Sequence, residues 1–227
     1  MAAPLSIIIP TLNAASGLPD CLQALMPGLE LGLIREVIVS DGGSDDATPR
    51  IAGDTGATLV TGARGRGAQL AAGARAARGA WLLFLHADTY LSPDWAERAA
   101  HHLDTRTGKA AVFTLKYRSD DRAARWLEAR ANRRARWLGL PYGDQGLLIS
   151  RKLYDEIGGY ADVPLMEDVM IVRALGKARL AFLSAEARTS AEKYERDGWR
   201  KRAWSNAALL TRFLLGASPE TLARTYR

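Results

Sequence analysis

Short apolar runs without alternation punctuate the first part of the chain. Residues 5–9 are Leu-Ser-Ile-Ile-Ile, residues 36–40 centre on Val-Ile-Val, and residues 81–85 are Trp-Leu-Leu-Phe-Leu. Runs of that length and character suit central strands of a parallel sheet with helices on both faces. The first is predicted to stop at Pro10, which has no N–H for a ladder. Between the runs the period changes. Leu18, Cys21, Leu22 and Leu25 recur at helical spacing over 17–29, Thr48-Pro49 opens a helix with proline in its first turn, 57–60 reads as a strand, and an alanine-rich helix is predicted over 68–78. Alternating strands and helices of this kind make right-handed crossovers in a wound sheet.

Beyond residue 89 the pattern loosens. A helix is predicted over 93–103, with His101 and His102 in solvent, and a strand over 110–117. A charged helix over 120–138 puts Ala123, Leu127, Ala131, Ala135 and Leu138 on one face and arginines on the others. The loop Pro141-Tyr142-Gly143-Asp144-Gln145-Gly146 precedes a strand at 147–150, a short helix ends at Gly158-Gly159, and Glu167-Asp168 head a helix running to about 175. Acids there suit the helix dipole, so either is also a capping residue. In the tail, 194–215, Trp199, Ala203, Ala207, Leu210 and Leu214 form one stripe beside Arg200, Lys201, Arg202 and Arg212. Such a helix docks on its own domain or lies on an anionic bilayer.

The chain has 227 residues and 48% hydrophobic content, enough for one substantial core. A net charge of +6 favours an anionic partner: nucleotide phosphate, nucleic acid or acidic membrane. No helix-turn-helix, RNA-recognition signature or metal-finger spacing supports nucleic acid, despite the arginine-rich helix after Asp120. Cys21 is the sole cysteine, which rules out an internal disulfide and suits a reducing compartment. No basic, cleavable leader opens the sequence, and no run approaches the roughly 20 apolar residues of a membrane span, so a soluble or peripheral protein is expected.

Each predicted strand ends in polar residues. The first offers Thr11 and Asn13, the second Asp41 and Ser44, the third the loop Gly62-Ala63-Arg64-Gly65-Arg66-Gly67, and the fourth His86 and Asp88. In a wound sheet such loops open on one edge, where ligands bind. Glycines, arginines and a helix N-terminus suit a pyrophosphate, although a solvated basic loop has the same composition. Asp88 or Ser92 alternatively caps the next helix.

These motifs, in order, resemble those of family 2 glycosyltransferases with a GT-A fold. The resemblance covers essentially the whole chain and implies an α/β fold with a mostly parallel wound sheet flanked by helices, and an amphipathic helical tail. Its domain limits would be 1–190, divided into a nucleotide-binding half (1–117) and an acceptor half (118–190), followed by the tail at 191–227. Ile7-Ile8-Ile9-Pro10-Thr11-Leu12-Asn13 looks like the family's opening strand and loop, and the resemblance implies nucleotide contacts from Pro10, Thr11, Asn13, Asp41, Ser44, Arg66 and Ala87. His86-Ala87-Asp88 stands where the family shows an Asp-x-Asp metal motif, so Asp88 is the expected ligand to Mn²⁺ or Mg²⁺ and His86 a second ligand, a ribose contact or a structural histidine. Glu167-Asp168 resembles the downstream acidic pair whose aspartate is the catalytic base. Asp144, Gln145 and Glu167 would contact donor sugar or acceptor. The His-Ala-Asp variant, the Gly-Asp-Gln loop and the tail are similar to a subgroup of small bacterial members, some labelled arsenosugar biosynthesis enzymes.

The implied reaction is inverting transfer of a sugar from a nucleotide-sugar donor, UDP-linked first and GDP-linked next, to a hydroxyl acceptor that is lipid-linked or a small molecule. A metal-dependent hexosyltransferase in the cytoplasm is expected, with a peripheral place on the inner membrane face left open by the tail. Two other readings stay open. A nucleotidyltransferase would normally carry its Gly-Arg loop after the first strand, where this chain has Thr11-Leu12-Asn13. A catalytically dead nucleotide-binding module would follow if His86 has destroyed metal binding.

Overall fold

The computed structural model describes residues 3–62 and 64–225. Ala63 of the glycine-arginine loop lies outside them, as do Met1 and Ala2 of the segment read for a leader. The strands are β1 (Leu5–Thr11), β2 (Ile34–Asp41), β3 (Thr58–Thr61), β4 (Trp81–Phe84), β5 (Thr89–Leu91), β6 (Ala110–Tyr117), β7 (Leu147–Ser150) and β8 (Leu180–Thr189). The helices are α1 (Leu18–Gln23), α2 (Met26–Glu30), α3 (Thr48–Asp54), α4 (Arg66–Ala76), α5 (Trp95–Thr105), α6 (Arg122–Leu138), α7 (Arg151–Glu156), α8 (Glu167–Leu175), α9 (Glu192–Asp197), α10 (Trp199–Leu214) and α11 (Pro219–Thr225).

The strands form one eight-stranded sheet, in the order β3-β2-β1-β4-β7-β6-β8-β5. From β3 to β4 every pairing is parallel, as the apolar runs predict. The other half is mixed: β7 is antiparallel to β4 and β6, β8 is parallel to β6, and β5 is antiparallel to β8. On β1, Ile7 and Ile9 enter one buried cluster and Ile8 the other, so both faces of the sheet are covered.

β1 does not stop at Pro10 but pairs on through Thr11. The Ile8 carbonyl accepts from Leu85 on the β4 side, and two residues later Pro10 faces that same side beyond the end of β4, where no ladder donor is required. The helix read over 17–29 is two helices, because Pro27 cannot donate to Gln23 as a continuous helix would require.

Only four residues link β4 to β5, strands at the fourth and eighth positions of the sheet. The link contains a turn in which the Thr89 N–H donates to the His86 carbonyl, so it is not extended, and the sheet must curl to bring those positions together. His86 and Asp88 sit in this link. Asp88 is therefore no helix cap, since β5 follows it and α5 begins at Trp95.

Three faces are turned from their expected register. On α6 the buried side runs through Ala124, Glu128, Ala131 and Ala135, and Leu138 is exposed. Glu128 turns inward because it accepts the Tyr117 N–H and pairs with Lys116 and Arg125. In the tail, Gly198 breaks the helix; Ala207 and Leu214 are exposed, while Leu209 is buried with Leu210 and Phe213 against Met166 and Val169. Arg202 and Asn206 share the inward side because Asp197 and the Tyr194 hydroxyl bind them. The tail thus docks on the domain. His102 is buried too, edge-on to Trp81 and bonded to the Lys109 carbonyl.

Candidate active site

The loops after β1 and β2 are braced as one piece. Asp41, 2% exposed, accepts from the Thr11 hydroxyl at 2.9 Å, the Ser44 hydroxyl, and the N–H groups of Gly43 and Ser44. Burial works to raise its pKa, but these hydrogen bonds outweigh it and hold the carboxyl below its ordinary value. Asn13, in the left-handed region at φ 52°, receives Asp45 N–H on its side chain and donates its own N–H to Ser44. Gln69 on α4 completes the frame. Its amide donates to the Thr11 and Ser40 carbonyls, and its backbone carbonyl accepts the Ser40 hydroxyl.

α4 brings Arg66 to the same edge. Gly65 precedes it at φ 127°, a conformation that side chains resist. A Cβ at Gly67 would stand 2.3 Å from the Ala161 carbonyl oxygen, so the first turn of α4 packs directly on the 161–163 backbone.

Two cavities meet here. The first, about 560 Å³, is walled by Pro10, Thr11, Asn13 and Ala87 with Gln69, Tyr90 and Arg118. The second, about 180 Å³, is walled by Asp144, Glu167 and Asp168 with Tyr117, Tyr142, Tyr194 and Arg202. Arg66, His86, Asp88, Ser190 and Lys193 belong to both, so they form the threshold. Asp41, Ser44 and Gln145 line neither. Asp41 and Ser44 stand behind the first wall, and Gln145, 1% exposed, donates to the Phe113 carbonyl.

At the threshold His86 is neutral at neutral pH: burial, then Arg66 and Lys193, push its pKa well down. Among the described residues the Asp88 carboxylate accepts only from the Thr89 hydroxyl, at 3.4 Å, while its backbone carbonyl accepts from Arg118. A neutral imidazole and a lightly bonded carboxylate could offer two donors to a divalent cation. No cluster of three or more metal-ligating side chains occurs among the described residues. The pair would therefore leave most of a cation's coordination to groups from outside the protein.

The second cavity is acidic. Asp168, in the first turn of α8, accepts the N–H of Gly143 at 2.9 Å and that of Val169 at 2.7 Å, which fixes its orientation. Glu167 is buried 3.7 Å from Arg66; burial and neighbouring Asp168 raise its pKa, and Arg66 opposes them. Asp144 is pushed up to about 6 by burial, with Asp168 and Asp88 adding to the rise and Arg134 resisting it. One Asp144 oxygen, Oδ1, is buried without a hydrogen-bond partner. Tyr117, Tyr194 and Trp199 pack with ring centroids 5.0–5.4 Å apart and tie the tail to this wall.

Sequence reasoning missed Gln69, Arg118 and Lys193. Gln69 left one trace, a polar residue on the inward side of an alanine-rich helix. Lys193 left none, because it is placed by β8, a strand not read in the sequence.

A model of the family "Glycosyl transferase family 2" matches residues 6–161. A PGL/p-HBAD biosynthesis glycosyltransferase of Mycobacterium tuberculosis is 40% identical over 105 residues, 40% of this chain and 38% of that protein. The chain spans well under half the length of the curated relatives it matches. Among solved structures, Staphylococcus aureus TarS 1–349 in complex with UDP superposes with a TM-score of 0.60 and 19% identity, over 84% of this chain and 62% of that one. Glucosyl-3-phosphoglycerate synthase from M. tuberculosis, in complex with Mn²⁺, UDP and glucosyl-3-phosphoglycerate, gives 0.58 and 22%, over 82% and 70%. These likenesses show a shared GT-A fold.

Proposed function

The chain belongs to glycosyltransferase family 2, and from that premise we propose that it moves a sugar from a nucleoside diphosphate sugar to an acceptor hydroxyl with inversion at the anomeric carbon. The observation that carries this reading is the pair of cavities joined at Arg66, His86 and Asp88, one suited to a nucleotide and the other rich in carboxylates. A UDP-sugar is the favoured donor and a GDP-sugar the next, since two similar structures are complexes with UDP.

In this reading Pro10, Thr11, Asn13 and Ala87 form the nucleotide bed, with Asp41, Ser44 and Gln69 holding its shape. Arg66 and Lys193 supply positive charge to the diphosphate at the threshold. Asp88 with His86 would hold a divalent cation, Mn²⁺ before Mg²⁺, which would supply further charge neutralisation to the leaving diphosphate. Asp168 accepts the proton of the acceptor hydroxyl as general base, and Glu167 orients Arg66 through their ion pair. Asp144 contacts the donor sugar or the acceptor.

Among the described residues no helix is long and apolar enough to cross a membrane.

A thermal-shift screen of UDP-glucose, UDP-N-acetylglucosamine and GDP-mannose, with Mn²⁺ or Mg²⁺, tests the reading, because a ligand of the native state raises the melting temperature. A rise with a UDP-sugar, followed by release of UDP on incubation, is expected. No shift with any nucleotide sugar overturns it.

A further inference from the structure

A third cavity, about 380 Å³, lies between α6 and α10 beside the acidic one. The two share Tyr117, Tyr142, Asp144, Tyr194 and Asn206, so the groove adjoins the carboxylates at these side chains. Its flanks are apolar: Trp126, Leu127 and Ala131 on α6 face Ala203, Trp204 and Ala207 on α10. Its inner end is polar and incompletely satisfied. Asp144 Oδ1 and Arg134 Nη2 are both buried there without hydrogen-bond partners. Orphaned buried groups of that kind cost free energy unless a ligand or water meets them.

The outer mouth is equally distinct. Trp204 is 75% exposed and Trp126 is 49% exposed, with the Arg130 guanidinium 4.8 Å above the Trp126 ring. Large aromatic residues left in solvent beside an apolar groove mark a binding surface rather than a neutral one.

An apolar channel with a polar end at a transfer site matches one ligand chemistry. We propose that the groove between α6 and α10 holds the apolar portion of an amphiphilic acceptor, whose hydroxyl head passes Asp144 into the cavity of Asp168. This inference rests on the transferase reading, since it names the acceptor class for that site. The polar head meets the two unpartnered groups, and the chain leaves between the tryptophans.

Calorimetry on the full chain tests it, using n-dodecyl β-glucoside below its micellar concentration and methyl β-glucoside, each titrated into UDP-saturated protein. Expected is one saturable site for the dodecyl compound, at least a hundredfold tighter than for the methyl one. Ala207→Trp, which fills the groove, and Trp126→Ser, which opens its wall, each weaken dodecyl binding at least tenfold while UDP affinity stays within twofold. Equal affinity of the wild type for the two glucosides overturns the proposal, as does dodecyl binding unchanged in Ala207→Trp. A chain that sediments with phosphatidylglycerol vesicles yet ignores monomeric dodecyl glucoside makes the aromatic rim a membrane contact and also overturns it. Failure of the wild type to bind either UDP or GDP sinks the transferase reading instead, and the glucosides titrated without nucleotide still report on the groove.

Discussion

The backbone N–H of Gly143 donates to the carboxylate of Asp168 at 2.9 Å, joining the loop before β7 to the first turn of α8. The glycine has no room for more: a Cβ on it would lie 2.8 Å from His86 Nε2. One residue therefore sets the spacing between the threshold and the acidic cavity. Asp168→Asn keeps one oxygen for the Gly143 N–H and gives up the bond from the Val169 N–H, so the loop stays tied to α8 while the proton acceptor is lost. Transfer is expected to fall roughly 10³-fold, the scale of a positioned general base, with UDP affinity changed only a few fold. Transfer assays beside UDP calorimetry decide it, and a wild-type rate would remove Asp168 from the mechanism.

Asp88→Ala leaves His86 as the lone threshold donor. UDP binding in the presence of Mn²⁺ is expected to weaken about tenfold or more, and binding without metal to change little. The measurement is paired calorimetry with Mn²⁺ and with chelator. Equal Mn²⁺ enhancement in the variant and the wild type would show that Asp88 holds no metal.

β1, β4 and the later half of β2 were legible because they lie buried on both faces and must be largely apolar, while the exposed edge strand β3 was legible from its β-branched residues. The polar tips were legible for the same reason, since Asp41, His86 and Asp88 interrupt runs that otherwise have no reason to end. β8 was not legible. Leu-Ala-Phe-Leu-Ser-Ala-Glu-Ala-Arg-Thr is rich in alanine and charge, and it becomes a strand only through pairing with β6 on one side and β5 on the other. Lys193, Tyr194 and Arg202 reach the second cavity because the chain leaves that strand there. The register of α6 was hidden likewise, since nothing local says that Glu128 meets the Tyr117 N–H.

Gln69 is the clearest support residue found only in three dimensions. Replacing it with leucine leaves the Ser40 carbonyl short of a donor in a buried seam, while the Thr11 carbonyl keeps the Gly42 N–H. The expected loss is about 1–3 kcal/mol of stability, from one buried acceptor stripped of this partner and a second that loses one of two. Urea unfolding reads it as a lower midpoint at unchanged slope. A loss under about 0.5 kcal/mol would mean that water replaces the amide, and the frame would then owe little to this side chain.

Asp144 gives a pH signature with a definite sign. Its carboxyl is pushed up from the ordinary 3.8 to about 6 in the fold, chiefly by burial. Between those values the folded chain binds more protons than the unfolded one, so stability falls as pH rises through the window, and above it the full penalty remains. Asp144→Asn removes the ionisation. At about pH 7.5 the variant should gain roughly 2–3 kcal/mol, a melting temperature about 5 °C or more above wild type, and at about pH 5 roughly half that. Thermal unfolding of both proteins at the two pH values checks the difference. An equal gain at both would trace the effect to something other than ionisation, and a loss at the higher pH would mean that the charged form is already paired. A cation beside Asp88 would offset one of the charges that disfavour ionised Asp144, so saturating UDP with Mn²⁺ should narrow the gap between the two proteins.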